Sequence, residues 1–382
     1  MNNKKLFYLK ILFLTGILLT VMFAGCLEQE KNLDEPETVT SEIPLDQSAI
    51  FPNWKDGVYH DYYATTQKLD DFNDVFPNLV YRYSIGKSVQ GRDIWCIKIT
   101  NEKIVGRKYS CLIDGCIHGN EWEAGEICLY LAEYLLINFG NNATVTHILN
   151  TTEIYIVPLF NPDGRQQNTR WNYNGIDLNR NFDVNFGNLR GRVVRIGKLF
   201  GRIKIPYIKI PLIGTYTNCG RRPLSEPESR AIGDLMKSLS YSEFALYVNC
   251  HTAVHNLMSP WLVPKPPFEL SQRERNVFNT VKDWVEENTE YETYRGEWGT
   301  SSGNVMDWCF KEFCVPSFMF ELLSQDYEPW LRAGKHDQLV HWMKASLPVI
   351  LYLLENIENL RHWRTPDVQP ILPYGIPPPP LS

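Results

Sequence analysis

Six short runs rich in β-branched and aromatic residues, at 79–84, 93–100, 109–117, 153–159, 245–249 and 317–322, alternate with stretches whose apolar residues recur at helical spacing. The helical stretches cover 121–139, 226–239, 272–288 and 335–360. Branched and aromatic side chains suit a pleated, half-buried surface, whereas a 3.6-residue period gives a helix one apolar face. Because the two patterns interleave, the chain is expected to be α/β: a mixed, twisted β-sheet with helices on both faces, forming a single domain. Ser225, just before Glu226 and Pro227, is a natural N-cap with proline in the first turn, which fixes the start of the second helix. No period of 20–50 residues is present, which argues against a solenoid.

The ends read differently. Lys4 and Lys5 precede an uncharged apolar run, 11–24, that is too short to cross a bilayer and suits a signal-peptide core. Phe23-Ala24-Gly25-Cys26 resembles a lipobox, so 1–25 is expected to be a lipoprotein-type signal peptide with Cys26 the lipid attachment site. Residues 26–49 are acidic and contain no aromatic residue, the composition of an extended linker. The domain spans 50–361, and a proline-rich tail, 362–382, carries four consecutive prolines, Pro377 to Pro380. The expected location is therefore the outer face of a prokaryotic cell membrane, tethered through Cys26, or the secreted fraction. A net charge of −6 gives no electrostatic footprint for nucleic acid. A monomer is expected. Cys26 aside, eight cysteines remain; several sit in strand-like runs, where a thiol packs as a small hydrophobe, and no disulfide pair is assigned.

Chemistry concentrates where the third strand-like run ends. His118 and Glu121, three residues apart at a turn from strand into helix, can converge on one point. Zinc catalysis uses three N/O protein ligands and one open position, yet His-x-x-Glu alone is common and equally serves capping or a solvated face.

The surrounding residues are more specific. Ile113-Asp114-Gly115-Cys116-Ile117-His118-Gly119-Asn120-Glu121 resembles the zinc-carboxypeptidase family, the carboxypeptidase A superfamily. Further similar segments follow in the family's order: Asn161-Pro162-Asp163-Gly164, Gly175 to Phe182, Ser225-Glu226-Pro227-Glu228, Cys250-His251-Thr252 and Phe318-Met319-Phe320-Glu321-Leu322. Ser84 to Ser88 and Gly91 to Trp95 resemble its opening strands. The resemblance implies a single catalytic domain with one Zn2+ on His118, Glu121 and His251. It implies that Asp177 orients His118, that Glu321 is the general base, and that Arg170 stabilises the oxyanion, with Arg165 the alternative in the same loop. Asn179 and Arg180 match the pair that grips a substrate's free C-terminal carboxylate. Met306 matches the residue that sets side-chain preference, an apolar one here. His255 is the local competitor to His251 as a ligand.

Two departures from the family pattern stand out. The position of its lid tyrosine is Gly299, beside Trp298, with Tyr291 and Tyr294 as substitutes. An insertion, 184–216, holds seven Lys/Arg and no Asp or Glu, which reads as a solvated basic hairpin or as a contact for anionic lipid or surface polymer. The implied function is release of C-terminal residues from extracellular peptides. The alternatives are a cell-wall stem-peptide peptidase or amide deacylase on the same fold, and a noncatalytic surface binding protein. The last would be expected to have lost a ligand or the base, and all are present.

Overall fold

The computed structural model describes residues 59–196, 205–211, 214–295, 301–322 and 336–361. The chain divides into two units, Met1–Asp46 and Gln47–Ser382, and every described residue lies in the second. The signal segment, Cys26, the acidic linker, Trp298, Gly299 and the proline-rich tail lie outside the described residues.

Helix α1 (Tyr62–Val75) leads into β1 (Val80–Lys87), β2 (Asp93–Ile99) and β3 (Tyr109–Asp114). Helices α2 (Trp122–Asn138) and α3 (Ala143–Thr151) precede β4 (Thr152–Val157) and the short α4 (Pro162–Gln167). Then come β5 (Val193–Val194), β6 (Tyr207–Ile210), β7 (Gly214–Asn218), α5 (Pro227–Leu239), β8 (Glu243–Thr252) and β9 (Asn256–Ser259). The chain continues through α6 (Gln272–Asn288), β10 (Glu292–Arg295), α7 (Val305–Phe313), β11 (Ser317–Leu322), α8 (His336–Glu355) and α9 (Ile357–Arg361). Asp61, Asn142 and Asn304 each accept a backbone N–H at the start of α1, α3 and α7, and Ser271 with Glu274 forms a reciprocal capping box on α6. Among the described residues, no helix is long and apolar enough to cross a membrane.

The strands form the expected mixed sheet, in the order β1-β2-β4-β3-β8-β11-β9-β10. Its centre, β4-β3-β8-β11, is parallel, and antiparallel pairs flank it at β1-β2, β2-β4 and β11-β9. Alternate side chains of a strand point to opposite faces. Phe244 through His251 are nonetheless all buried, so both faces of the centre are covered, as a parallel core requires. Helix α2 packs on β3, β4 and β8, while α5 and α7 also pack on β8. In such sheets ligands bind beyond the carboxyl ends of the central strands, and β3, β8 and β11 all run toward the same edge.

The basic insertion builds a separate three-stranded sheet, β5-β7-β6. Every residue of β6 is exposed, and Tyr207 stacks on Trp171 with ring centroids 5.6 Å apart. Among the cysteines, Cys96, Cys111, Cys116, Cys128, Cys219 and Cys250 are free and buried. Burial pushes the Cys96 and Cys116 thiols up to about 12, consistent with inert packing groups.

Candidate metal centre

The chain leaves β3 through Cys116, at φ 52°, and His118 follows two residues on. Gly119 is required at the next position: a Cβ there would lie 1.9 Å from the Gly164 carbonyl carbon. Two of the sequence segments, around His118 and Asn161, thus meet backbone to backbone at the start of α4. Glu121 ends the turn at the mouth of α2, where the helix N-terminus favours a carboxylate. His251 arrives from β8, the neighbour of β3.

These three side chains come together. Glu121 Oε1 lies 2.7 Å from His118 Nδ1, and Glu121 Oε2 lies 2.9 Å from His251 Nδ1. All three are buried, and one donor atom from each lies within 4.8 Å of the others. Burial opposes ionisation of Glu121, but the two imidazoles hold its carboxyl well below the ordinary range. The donor set, two imidazole nitrogens and one carboxylate with both Nδ1 atoms turned to the same point, fits zinc with a position left for water.

On the far side of His118, Nε2 lies 3.2 Å from Asp177 Oδ1. Arg170 donates from Nε to Asp177 Oδ2 at 2.9 Å and places Nη1 3.6 Å from Glu121 Oε1. Asp177 is buried, which alone would raise its pKa; Arg170 and His118 instead hold it well below the usual carboxylate range. Arg165, the alternative to Arg170, donates from Nη2 to the His60 carbonyl and stacks on Trp122, bracing the N-terminal segment. Of the two, Arg170 is the arginine beside His118 and Glu121.

Glu321 is the Cα partner of His251 across the β8–β11 pair. Its Oε2 is buried and has no hydrogen-bond partner among the described residues. Burial, with a contribution from Glu121, pushes its carboxyl up to about 7 against the opposing charges of His251, Arg170 and Arg180. A desolvated carboxylate oxygen left unpaired beside the three-residue cluster is an unusual cost for a fold to carry.

Asn179 and Arg180 lie on a short 3₁₀ turn that starts at Asp177. Asn179 is buried; its Oδ1 accepts from the Val305 N–H at 3.0 Å, and its Nδ2 lies 3.3 Å from His251 Nε2. Arg180 is half-buried, donating from Nη1 to the Asn179 carbonyl at 2.6 Å. Gly303, at φ +71°, packs against the Arg180 carbonyl, where a Cβ would approach to 2.3 Å. Met306 is fully buried in a cluster with Met258, Leu262 and Met319, against which Val254 and Tyr294 pack.

The remaining candidates lie elsewhere. His255 adopts φ 58° and packs on Tyr291 and Trp342, with ring centroids 4.6 and 5.0 Å away, outside the three-residue cluster. The Tyr291 hydroxyl is buried against Ser346 Oγ at 2.7 Å. Two residues that the sequence reading does not single out touch the centre's surroundings, Asn249 beside His251 and Asp114 beside Asn249. Their signal is faint: polar residues at alternating positions in otherwise apolar strands.

Two imidazoles and a carboxylate around one point, with a second carboxylate beside them at the edge of an α/β sheet, form a cluster that could hold a metal ion, a donor set of the kind mononuclear metallohydrolases use. A model of the zinc carboxypeptidase family matches residues 65–336. The chain belongs to that family. It is 25% identical over 288 residues to carboxypeptidase A6 from Homo sapiens, covering 71% of this chain and 61% of that protein. Mast cell carboxypeptidase A from Homo sapiens is 26% identical over 314 residues, covering 77% of this chain and 67% of that protein. The fold is similar to the crystal structure of carboxypeptidase A from Helicoverpa armigera, with a TM-score of 0.62 at 20% identity, covering 80% of this chain and 74% of that one.

Proposed function

We propose that the protein is a zinc-dependent metallocarboxypeptidase that hydrolyses the C-terminal peptide bond of extracellular peptides. The observation that carries this reading is the convergence of His118, Glu121 and His251 on one point, with Glu321 the sheet partner of His251 and the two guanidiniums, Arg170 and Arg180, acting electrostatically on it. His118 Nδ1, Glu121 and His251 Nδ1 would hold the ion. Once bound, zinc supplies a Lewis acid and acidifies a coordinated water.

The chain's own groups do the rest. Glu321 accepts the proton of the attacking water and delivers it to the leaving amine, roles that suit a carboxyl with a raised pKa. Arg170, aligned by Asp177, faces the charge that develops on the scissile carbonyl oxygen. The planar guanidinium of Arg180, with Asn179 beside it, grips the substrate's terminal carboxylate, and the methionine cluster around Met306 favours an apolar terminal side chain. Lipid attachment at Cys26 would keep the enzyme on the outer face of the membrane.

The test is a competition between blocked dipeptides ending in Phe, Lys and Glu and a diaminopimelate-containing stem peptide. Preference for the Phe dipeptide supports the proposal. Preference for the stem peptide moves the enzyme to cell-wall chemistry, and no turnover of any of them argues for a binding protein.

A further inference from the structure

The two histidines of the centre are supported in different ways. His118 Nε2 meets a carboxylate directly, Asp177 Oδ1 at 3.2 Å. His251 Nε2 meets two amides: Asn249 Oδ1, at short range, and Asn179 Nδ2 at 3.3 Å. One is an acceptor and the other a donor, so they ask for opposite tautomers. With the proton on Nε2, the ring donates to Asn249 and presents the Nδ1 lone pair to the metal position. With the proton on Nδ1, the ring accepts from Asn179 and cannot ligate through Nδ1.

The orientation of Asn179 is fixed, because its Oδ1 accepts from the Val305 N–H. The outcome therefore rests on Asn249, whose amide can turn over. Asp114 stops it turning. Asp114 is the Cα partner of Asn249 on the neighbouring strand, and its Oδ1 accepts from Asn249 Nδ2. Its other oxygen accepts from the Tyr247 hydroxyl at 2.8 Å. Tyr247, Asn249 and His251 share one face of β8 by strand alternation, and all three, with Asp114, are buried. A flipped Asn249 would set its carbonyl against the Asp114 carboxylate and its NH2 against Nε2–H. Neither contact could be repaired by water in a site this closed.

We propose that Asp114 and Asn249 are positioning residues that select the Nε2–H tautomer of His251 and so prepare its Nδ1 for zinc. The inference rests on His251 being a metal ligand. Loss of an outer hydrogen-bonding partner of a ligating histidine costs about 10–100-fold in metal affinity.

The experiment is zinc affinity by competition with a chromophoric chelator, with the visible spectrum of the cobalt-loaded protein as a second readout. Asp114→Asn frees the amide to turn and should weaken zinc binding by about 10–100-fold, with a changed cobalt spectrum. Asn249→Ala should do the same, so the test stands even where Asp114→Asn fails to fold. The double variant Asp114→Asn with Asn249→Asp places a carboxylate directly on Nε2 and an amide behind it, and should recover most of the affinity and the spectrum. Folded Asp114→Asn and Asn249→Ala proteins with unchanged zinc affinity would overturn the proposal, as would a double variant no better than Asp114→Asn alone. A wild-type chain that binds no zinc would instead contradict the ligand assignment itself.

Discussion

Glu121 Oε2 lies 2.9 Å from His251 Nδ1, a contact between residues 130 positions apart that joins the mouth of α2 to the end of β8. Nothing local requires it. It exists because β3 and β8 are hydrogen-bonded neighbours running in the same direction, so the chain leaving β3 turns back over the end of β8.

Glu321 has one buried oxygen without a partner among the described residues and sits beside His251 in the sheet. Glu321→Gln keeps the shape and removes the base. Turnover should fall by about 10²–10⁴-fold, the usual contribution of a general base, while zinc stoichiometry stays at one. Steady-state kinetics with metal analysis checks this, and a variant that retains activity would remove Glu321 from the mechanism.

The same carboxyl sets a pH dependence. Burial pushes Glu321 up to about 7, and a base works only when ionised. In the wild type, kcat/KM should rise with pH through an acid limb at or below about 7, since a bound cation draws a neighbouring carboxyl down. In metal-free protein the sign for stability is opposite. The folded state holds the proton more tightly than the unfolded chain, so stability should decline as pH rises from the ordinary carboxylate range, 4.5, to about 7. Melting temperatures across that window should flatten in Glu321→Gln.

Arg180 is a half-buried guanidinium bound to the Asn179 carbonyl, whereas Arg170 is bound to Asp177. Arg180→Gln should raise KM for peptides with a free terminal carboxylate by about 10–100-fold, the loss expected for one charge-assisted contact of 1.5–3 kcal/mol. Amidated peptides, already poor substrates, should change little. Parallel kinetics on the two peptide forms would show whether the discrimination collapses.

Met306 is fully buried among Met258, Leu262 and Met319. Met306→Ala should cost about 2–5 kcal/mol of stability, the range for truncating a core methionine. It should also narrow the preference for Phe over Lys at the substrate terminus, chiefly through KM. Denaturant unfolding and substrate competition measure the two effects separately.

Much of this was legible from residue order. The period over 272–288 predicts α6 to the residue, and the turn from the third apolar run into the next helix predicts where His118 and Glu121 meet. Other parts were hidden for physical reasons. Helix α1 buries only Thr65, Leu69 and Phe72, too narrow a stripe to announce itself. Strand β8 extends to Thr252 although its apolar run stops near Val248, because the strand end trades hydrophobic residues for the polar ones that line the site. Asn249 and Asp114 are silent for the same reason: a buried amide or carboxylate in a strand declares its partner only when the neighbouring strand is known. The loop arginines illustrate the limit in small. Arg165 and Arg170 are five residues apart, and only three-dimensional contacts separate the brace from the arginine bound to Asp177.

The most direct test of the central claim is C-terminal residue release from a peptide by purified protein, with bound zinc measured on the same sample. The account predicts one zinc per chain, release of a single terminal residue at a time, loss of both with a chelator, and recovery of both on adding zinc. Equal release from zinc-free protein, or a zinc-loaded chain that leaves every free C-terminus intact, would contradict it.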